Sequence, residues 1–379
     1  MKASVQGFQD KQSGSGALFE DIYLIEGKRT PFGKYTGSLS TVSPTDLGIL
    51  ASRAAIEASG VAASDIDQTI VANIGQASAD SFFLPRHIAL YSGAPLESTA
   101  LLTQRICGSG VELLGQAAEQ IALGKANLVL GCGTDTMSRF PLASYSARQG
   151  FQLGRPEFVD LLWEALNDTA AVPMGATADN LAREFSLTRE DVDAFAMRSQ
   201  QRYAMAQEAN FFQQEIVPIA AKGLLEMENL KPRKYRCNTR DGIASDEHPR
   251  QVNMEQLAKL PFVFSKEGPT TAGSASGIVD GAAAMLIASG DYVRSNGLKP
   301  LGKIRGFASS GVLPEIMGIG PVPAINLLLG QMGMTIKDID RFEINEAFSA
   351  QCLAVARALE LDQEQLNING GAIAIGHPL

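Results

Sequence analysis

Cys107 is the residue in this 379-residue chain whose surroundings best suit a nucleophile. It lies in Arg105-Ile106-Cys107-Gly108-Ser109-Gly110, after a strand-like Ser98–Thr103. Beyond it Val111, Leu114, Ala118, Ile121 and Ala122 recur at helical spacing as far as Gly124. The cysteine therefore sits on a strand-to-helix turn, where free N–H groups and the helix dipole favour a thiolate. An ordinary thiol titrates near pH ~8.5, and such a site is expected to lower that value. Glycines around it permit a sharp turn and close approach of a substrate. Locally, the pattern also fits a small buried cysteine.

Two further segments could complete this chemistry. Of the three histidines, at 87, 248 and 377, the last stands in Gly370-Gly-Ala-Ile-Ala-Ile-Gly376-His377-Pro378. A histidine that takes a thiol proton makes cysteine an acyl-transfer nucleophile. Acyl transfer also needs donors for a developing oxyanion, and Asn345, His377 and the N–H of Cys107 are candidates. Asn345 opens Asn345-Glu346-Ala347-Phe348, where a predicted strand meets a helix. Taken singly, Asn345 equally suits a helix cap and His377 a structural histidine. The stretch Lys231–Arg240 carries five cationic side chains in an otherwise acidic protein. It reads as a solvated loop or as a clamp for a phosphate-bearing ligand.

The elements that must hold these residues alternate. Strand-like Asp21–Ile25 leads to a helix with Ser43 as N-cap, Pro44 at its first position, Asp46 completing the box and Gly60 as its stop. Strand-like Thr69–Ala72, a helix near Pro85–Ser92, the Cys107 unit and the strand Leu128–Cys132 follow. This order predicts a mostly parallel sheet covered on both faces. From 137 to 264 the rhythm breaks into polar stretches and a helix capped by Thr188 and Asp191 that runs to Glu208, which predicts an inserted domain. After the glycine-rich Thr270–Gly277 the alternation resumes with Ala282–Ala288. It continues through Leu301–Phe307, Pro323–Met332, Ile339–Ile344 and Glu346–Leu359. The repeated element order suggests a duplicated α/β unit.

Composition narrows the class. The chain is 45% hydrophobic and 19% charged, as in ordinary globular proteins. A net charge of −9 argues against nucleic-acid or anionic-membrane binding as the main role. No apolar run reaches membrane-spanning length. Residues 1–20 are polar and glycine-rich without an apolar core, so a mobile extension rather than a targeting signal is expected. Cysteines 107, 132, 237 and 352 form no Cys-x-x-Cys pair, which argues against zinc and for a reducing, cytoplasmic setting.

Together the motifs resemble the thiolase family. Arg29-Thr-Pro-Phe-Gly33, Cys107-Gly-Ser-Gly110, Met174-Gly-Ala-Thr-Ala-Asp-Asn180 and Thr271-Ala-Gly-Ser-Ala-Ser-Gly277 stand in the family's order. So do Asn345-Glu-Ala-Phe348 and Gly370–Pro378, over about Asp21 to the end. The resemblance implies two fused βαβαβαββ halves of layered helices and sheets. An N-terminal half (21–136 and 265–298) would carry the inserted loop domain (137–264), and a C-terminal half (299–379) would be incomplete. Cys107 would become S-acylated, His377 would activate it, and Asn345, holding a water, would line an oxyanion hole with His377. Ser276 and Met174 would lie beside the pantetheine of coenzyme A, and Arg233, Lys234 and Arg236 near its phosphates. The implied reaction is that of an acetyl-CoA C-acetyltransferase, interconverting two acetyl-CoA with acetoacetyl-CoA, or thiolysis of longer 3-oxoacyl-CoA. No bound cofactor or metal is expected beyond coenzyme A as co-substrate, and a homodimer or homotetramer is usual in the family. The rival readings are a 3-oxoacyl synthase and a non-catalytic acyl-CoA-binding protein.

The sequence departs from the family pattern after His377-Pro378, where thiolases continue with a helix, two strands and a second catalytic cysteine in a Cys-x-Gly segment. None of Cys132, Cys237 and Cys352 has that context. The expectation is a fragment with an unprotected strand edge, poorly stable and unable to catalyse condensation. Pro173, where short-chain acetoacetyl-CoA thiolases often place histidine, and the partial motif Leu84-Pro85-Arg86 leave longer acyl chains open.

Overall fold

The computed structural model describes residues 2–168 and 170–379. Met1 of the expected extension and Thr169 of the expected insertion lie outside them.

Local signals explain much of the first half. Strand β3 (Ile22–Arg29) leads to α1 (Pro44–Ser59), where the Ser43 hydroxyl accepts from Asp46 N–H and Gly60 ends the helix at φ 71°. Then come β4 (Gln68–Ala72), α2 (Leu84–Tyr91), β5 (Thr99–Thr103), α3 (Ser109–Ala122) and β6 (Leu128–Thr136). The inserted stretch contains α4 (Met174–Glu184) and α5 (Arg189–Glu208), the latter opened by a Thr188/Asp191 capping box. Strand β7 (Val279–Ser289) closes the sheet.

The sheet runs in the order β3-β7-β6-β4-β5, with Gly302–Lys303 beside β3. β4 pairs in parallel with β5 and β6, but β7 is antiparallel to both β3 and β6. Four strands thus point one way and the central β7 the other. The expected parallel order holds where short strand–helix connections enforce it. It fails at the strand that returns from the long insertion, which no crossover constrains. Side chains alternate between two cores: Leu128, Leu130 and Cys132 of β6 face α1, while Val129 faces α3.

The second half begins with β8 (Gly306–Ser309) and α6 (Pro321–Met332), followed by α7 (Ser349–Ala358) and the one-turn α8 (Ala372–Ile375). The expected strand Ile339–Ile344 is reduced to a parallel bridge between Phe342 and Leu366.

The expected mobile extension is instead a hairpin of β1 (Ser4–Asp10) and β2 (Gly14–Glu20). The Asp10 carboxylate accepts from Gln12 and Ser13 N–H to make its turn. β2 pairs antiparallel with β8 along one edge, and β8 and β1 are the outer strands of this three-stranded sheet. The order β8-β2-β1, antiparallel throughout, repeats β3-β7-β6 of the first half. The parallel Phe342–Leu366 bridge likewise repeats β4–β5. An element from the start of the chain therefore stands beside β8 as β7 and β6 stand beside β3. Burial explains its order, because Ala17 and Phe19 alternate into the core under α3. Helix α3 lies between the two sheets, and a Cβ on Gly115 would stand 2.8 Å from the Phe307 ring of β8. That close approach requires glycine.

Phe19 is 1% exposed, so Phe19→Ala should cost about 3–5 kcal/mol in denaturant unfolding. A cost under about 0.5 kcal/mol, typical of a surface site, would mean that the hairpin is not part of the fold.

Candidate active site

Cys107 lies on the turn between β5 and α3. Ser109 locks that turn: its hydroxyl accepts from Arg105 N–H at 2.6 Å and donates to Ile106 C=O at 2.7 Å. Ile106 is held at φ 45°, a left-handed conformation unfavourable for a β-branched residue. The Gly108 and Ser109 N–H groups bond back to Arg105 and Ile106 carbonyls. The guanidinium of Arg105 pairs with Glu112 at 3.0 Å. The donors expected to stabilise a thiolate are thus engaged elsewhere. Burial pushes the Cys107 thiol up to about 11, against a smaller lowering by its own N–H. This corrects the expectation of a lowered thiol pKa.

The same cause shifts His377 the other way. Burial lowers its pKa, against the bond to Pro378 that raises it, so the ring is neutral near pH 7. Its Nδ1 lies 2.9 Å from Pro378 C=O, a group that only accepts, which puts the proton on Nδ1. Nε2 is left as an acceptor, 3.1 Å from Asn345 Nδ2. The backbone N–H of His377 donates to Gly277 C=O at 2.9 Å.

Cys107 and His377 line one cavity of about 190 Å³, together with Met174 and Ser276. Trp163, Leu166, Phe264 and Phe348 give it apolar walls. Asn345 opens instead on a neighbouring cleft of about 310 Å³ that shares His377. The structure therefore brings five of the expected residues around two adjoining spaces, with His377 between them.

The cationic residues fare differently. Lys234 and Arg236 line a separate open cleft with Arg139 and Arg240. Arg233 binds Asp46 at 2.7 Å and Asp80 at 2.8 Å, so two carboxylates claim the guanidinium expected to meet phosphate. Cys132, Cys237 and Cys352 are buried in the two large cores.

Glu346 is a supporting residue that the sequence showed only as part of a motif. Its buried carboxylate accepts from Ser199 Oγ at 2.6 Å, Asn367 Nδ2 at 2.8 Å and Ile373 N–H at 3.1 Å. One side chain thus joins the Asn345 segment, the inserted α5 and the first turn of α8. Burial still pushes its carboxyl above the ordinary range. Asp135 works similarly in the first half, accepting from Asn73 Nδ2, Ile74 N–H and Gly75 N–H beside the β5 end.

The model of the thiolase N-terminal domain matches residues 22–291, and that of the thiolase C-terminal domain matches 298–379. The chain is 43% identical to mitochondrial 3-ketoacyl-CoA thiolase of Bos taurus, over 96% of this chain and 89% of that one. It is 39% identical to acetyl-CoA acetyltransferase of Syntrophomonas wolfei, with the same coverage. Human mitochondrial 3-ketoacyl-CoA thiolase in complex with CoA superposes with TM-score 0.86 at 41% identity, over 94% of this chain and 87% of that one.

With the thiol held near 11 and His377 neutral, alkylation of Cys107 by iodoacetamide should reach a plateau from about pH 7 upward. In His377→Ala the plateau should vanish, with the rate rising roughly tenfold per pH unit. Identical profiles in the two proteins would show that His377 takes no proton from Cys107.

Proposed function

The chain belongs to the thiolase family of acyltransferases, and we propose that it cleaves 3-oxoacyl-CoA with coenzyme A through an S-acyl Cys107 intermediate. The observation that carries this reading is the shared cavity of a protonated thiol and a neutral imidazole. In the first step Cys107 passes its proton to His377 Nε2, and the sulfur adds to the C3 carbonyl. The C2–C3 bond then breaks, and His377 returns the proton to the released C2 carbanion of acetyl-CoA. In the second step the thiol of coenzyme A gives its proton to His377 and attacks the S-acyl carbonyl. Cys107 leaves as thiolate and recovers that proton. Asn345, through a water in its cleft, and His377 serve one oxyanion, and Cys107 N–H serves the other.

The apolar walls support acyl chains longer than acetyl, with acetoacetyl-CoA, cleaved to two acetyl-CoA, as the shortest case. Ser276 and Met174 would flank the pantetheine. The open cleft of Lys234 and Arg236 is the proposed phosphate site, with Arg240 taking the part first given to Arg233. No other cofactor is needed. A homodimer or homotetramer would cover the outer edge of β5, the last strand of its sheet, where Leu101 is exposed.

Intact mass and peptide mapping after exposure to acetoacetyl-CoA should find an acetyl group on Cys107, absent in Cys107→Ala. Turnover should fall about 10²–10⁴-fold in His377→Ala and about 10²–10³-fold in Asn345→Ala. A folded chain that binds coenzyme A yet forms no adduct would instead be a non-catalytic acyl-CoA-binding protein.

A further inference from the structure

His248 belongs to Asp246-Glu247-His248, whose first two residues fasten the inserted segment to the first half. Asp246 accepts from Arg29 Nη1 at 2.7 Å, Arg29 Nη2 at 3.0 Å and Phe32 N–H at 2.8 Å, and from the Tyr203 hydroxyl at 3.2 Å. Glu247 accepts from Lys34 N–H at 3.0 Å, Ser38 N–H at 3.1 Å and the Ser38 hydroxyl. With both neighbours anchored, His248 has little freedom of its own. Two neighbours of its ring bear on His377. Nδ1 is 2.9 Å from Ala374 C=O, in α8, three residues before His377. The carbonyl only accepts, so Nδ1 carries the proton. The ring also covers Gly277, where a Cβ would come within 2.0 Å of Nε2. Gly277 C=O is the acceptor of the His377 N–H.

Helix α8 needs such supports. A single turn has no cooperative stability of its own. Glu346 holds its first turn through Ile373 N–H, while His248 holds the carbonyl of Ala374 near its other end.

We propose that His248 is a positioning residue for His377: its Nδ1–H bond to Ala374 and its packing on Gly277 fix the backbone from which His377 reaches the Cys107 cavity. This rests on the acyl-transfer reading for its effect on turnover, but not for its effect on the thiol. A displacement of about 1 Å at a reacting group costs up to about 10²-fold in rate, and loosening the support at the Ala374 end of α8 is expected to cost roughly tenfold or more.

The test compares His248→Asn with His248→Gln in the full chain. The Asn amide can donate from the place of Nδ1, whereas the longer Gln amide stands in the place of Nε2. His248→Asn should keep kcat within about threefold of the parent, and His248→Gln should lose roughly tenfold or more, with KM little changed in both. The rate of Cys107 alkylation by iodoacetamide at pH 7.5 should follow the same order. Equal rates in the two variants, whether high or low, would overturn the proposal. If the parent chain shows no acyl transfer, the reading of the function fails, and the alkylation rates alone decide the role of His248.

Discussion

A carboxylate buried inside the protein sets the terms for the site. Taking an ion out of water costs several kcal/mol unless its oxygens are matched by donors. Glu346 meets that demand with Ser199, Asn367 and the backbone of Ile373, drawn from three separate stretches of chain. Loss of any one donor leaves part of a buried charge unmatched, so the three stretches are held together more firmly than neutral contacts would hold them. Asn345 precedes this residue, and His377 follows the helix it supports. The spacing of the two side chains across 3.1 Å is thus a consequence of where Glu346 finds its partners.

The same logic extends outward. α3 carries the nucleophile turn at its N-terminus and is covered on both sides, by the first sheet and by β8 with the hairpin. A helix packed on two faces cannot tilt without opening one core, so the position of Cys107 depends on β1–β2 as well as on β5. The hairpin therefore bears on chemistry that it does not touch. In its absence the Ala17 and Phe19 side of α3 would face water, at the cost of the apolar burial they now provide.

What could be read from sequence divides along the reach of each interaction. The Ser43–Gly60 helix, the Thr188 capping box and the Cys107 turn were legible because their determinants lie within a few residues of one another. Cys107, His377, Asn345, Met174 and Ser276 are candidates through their motifs, and the structure gathers them around adjoining spaces. The hairpin was missed because its pairing partner lies almost three hundred residues on, although Ala17 and Phe19 carried the alternation of a strand. The antiparallel β7 was missed because an insertion separates it from β6. Arg233 looked free in a basic run, but Asp46 and Asp80 are distant in sequence. His248 and Glu346 carried no local sign of what they hold.

The thiol pKa shows why such distant contacts matter for mechanism. Local reasoning placed Cys107 at a helix terminus and so expected a thiolate. Yet the turn closes on itself through the Gly108 and Ser109 amides, and desolvation dominates. A thiol near 11 beside an imidazole lowered by the same burial makes the neutral pair the resting state. On the proposed mechanism charge separation would become favourable only when an acyl carbonyl supplies an oxyanion to be stabilised, because sulfur would give up its proton as it gains a bond to carbon. Burial that makes the isolated nucleophile weak also lowers the local polarity, so that donors such as Asn345 and Cys107 N–H act more strongly on developing charge than they would in water. On the proposed mechanism the apolar walls would thus help the pair discriminate a thioester from water, besides housing the acyl chain.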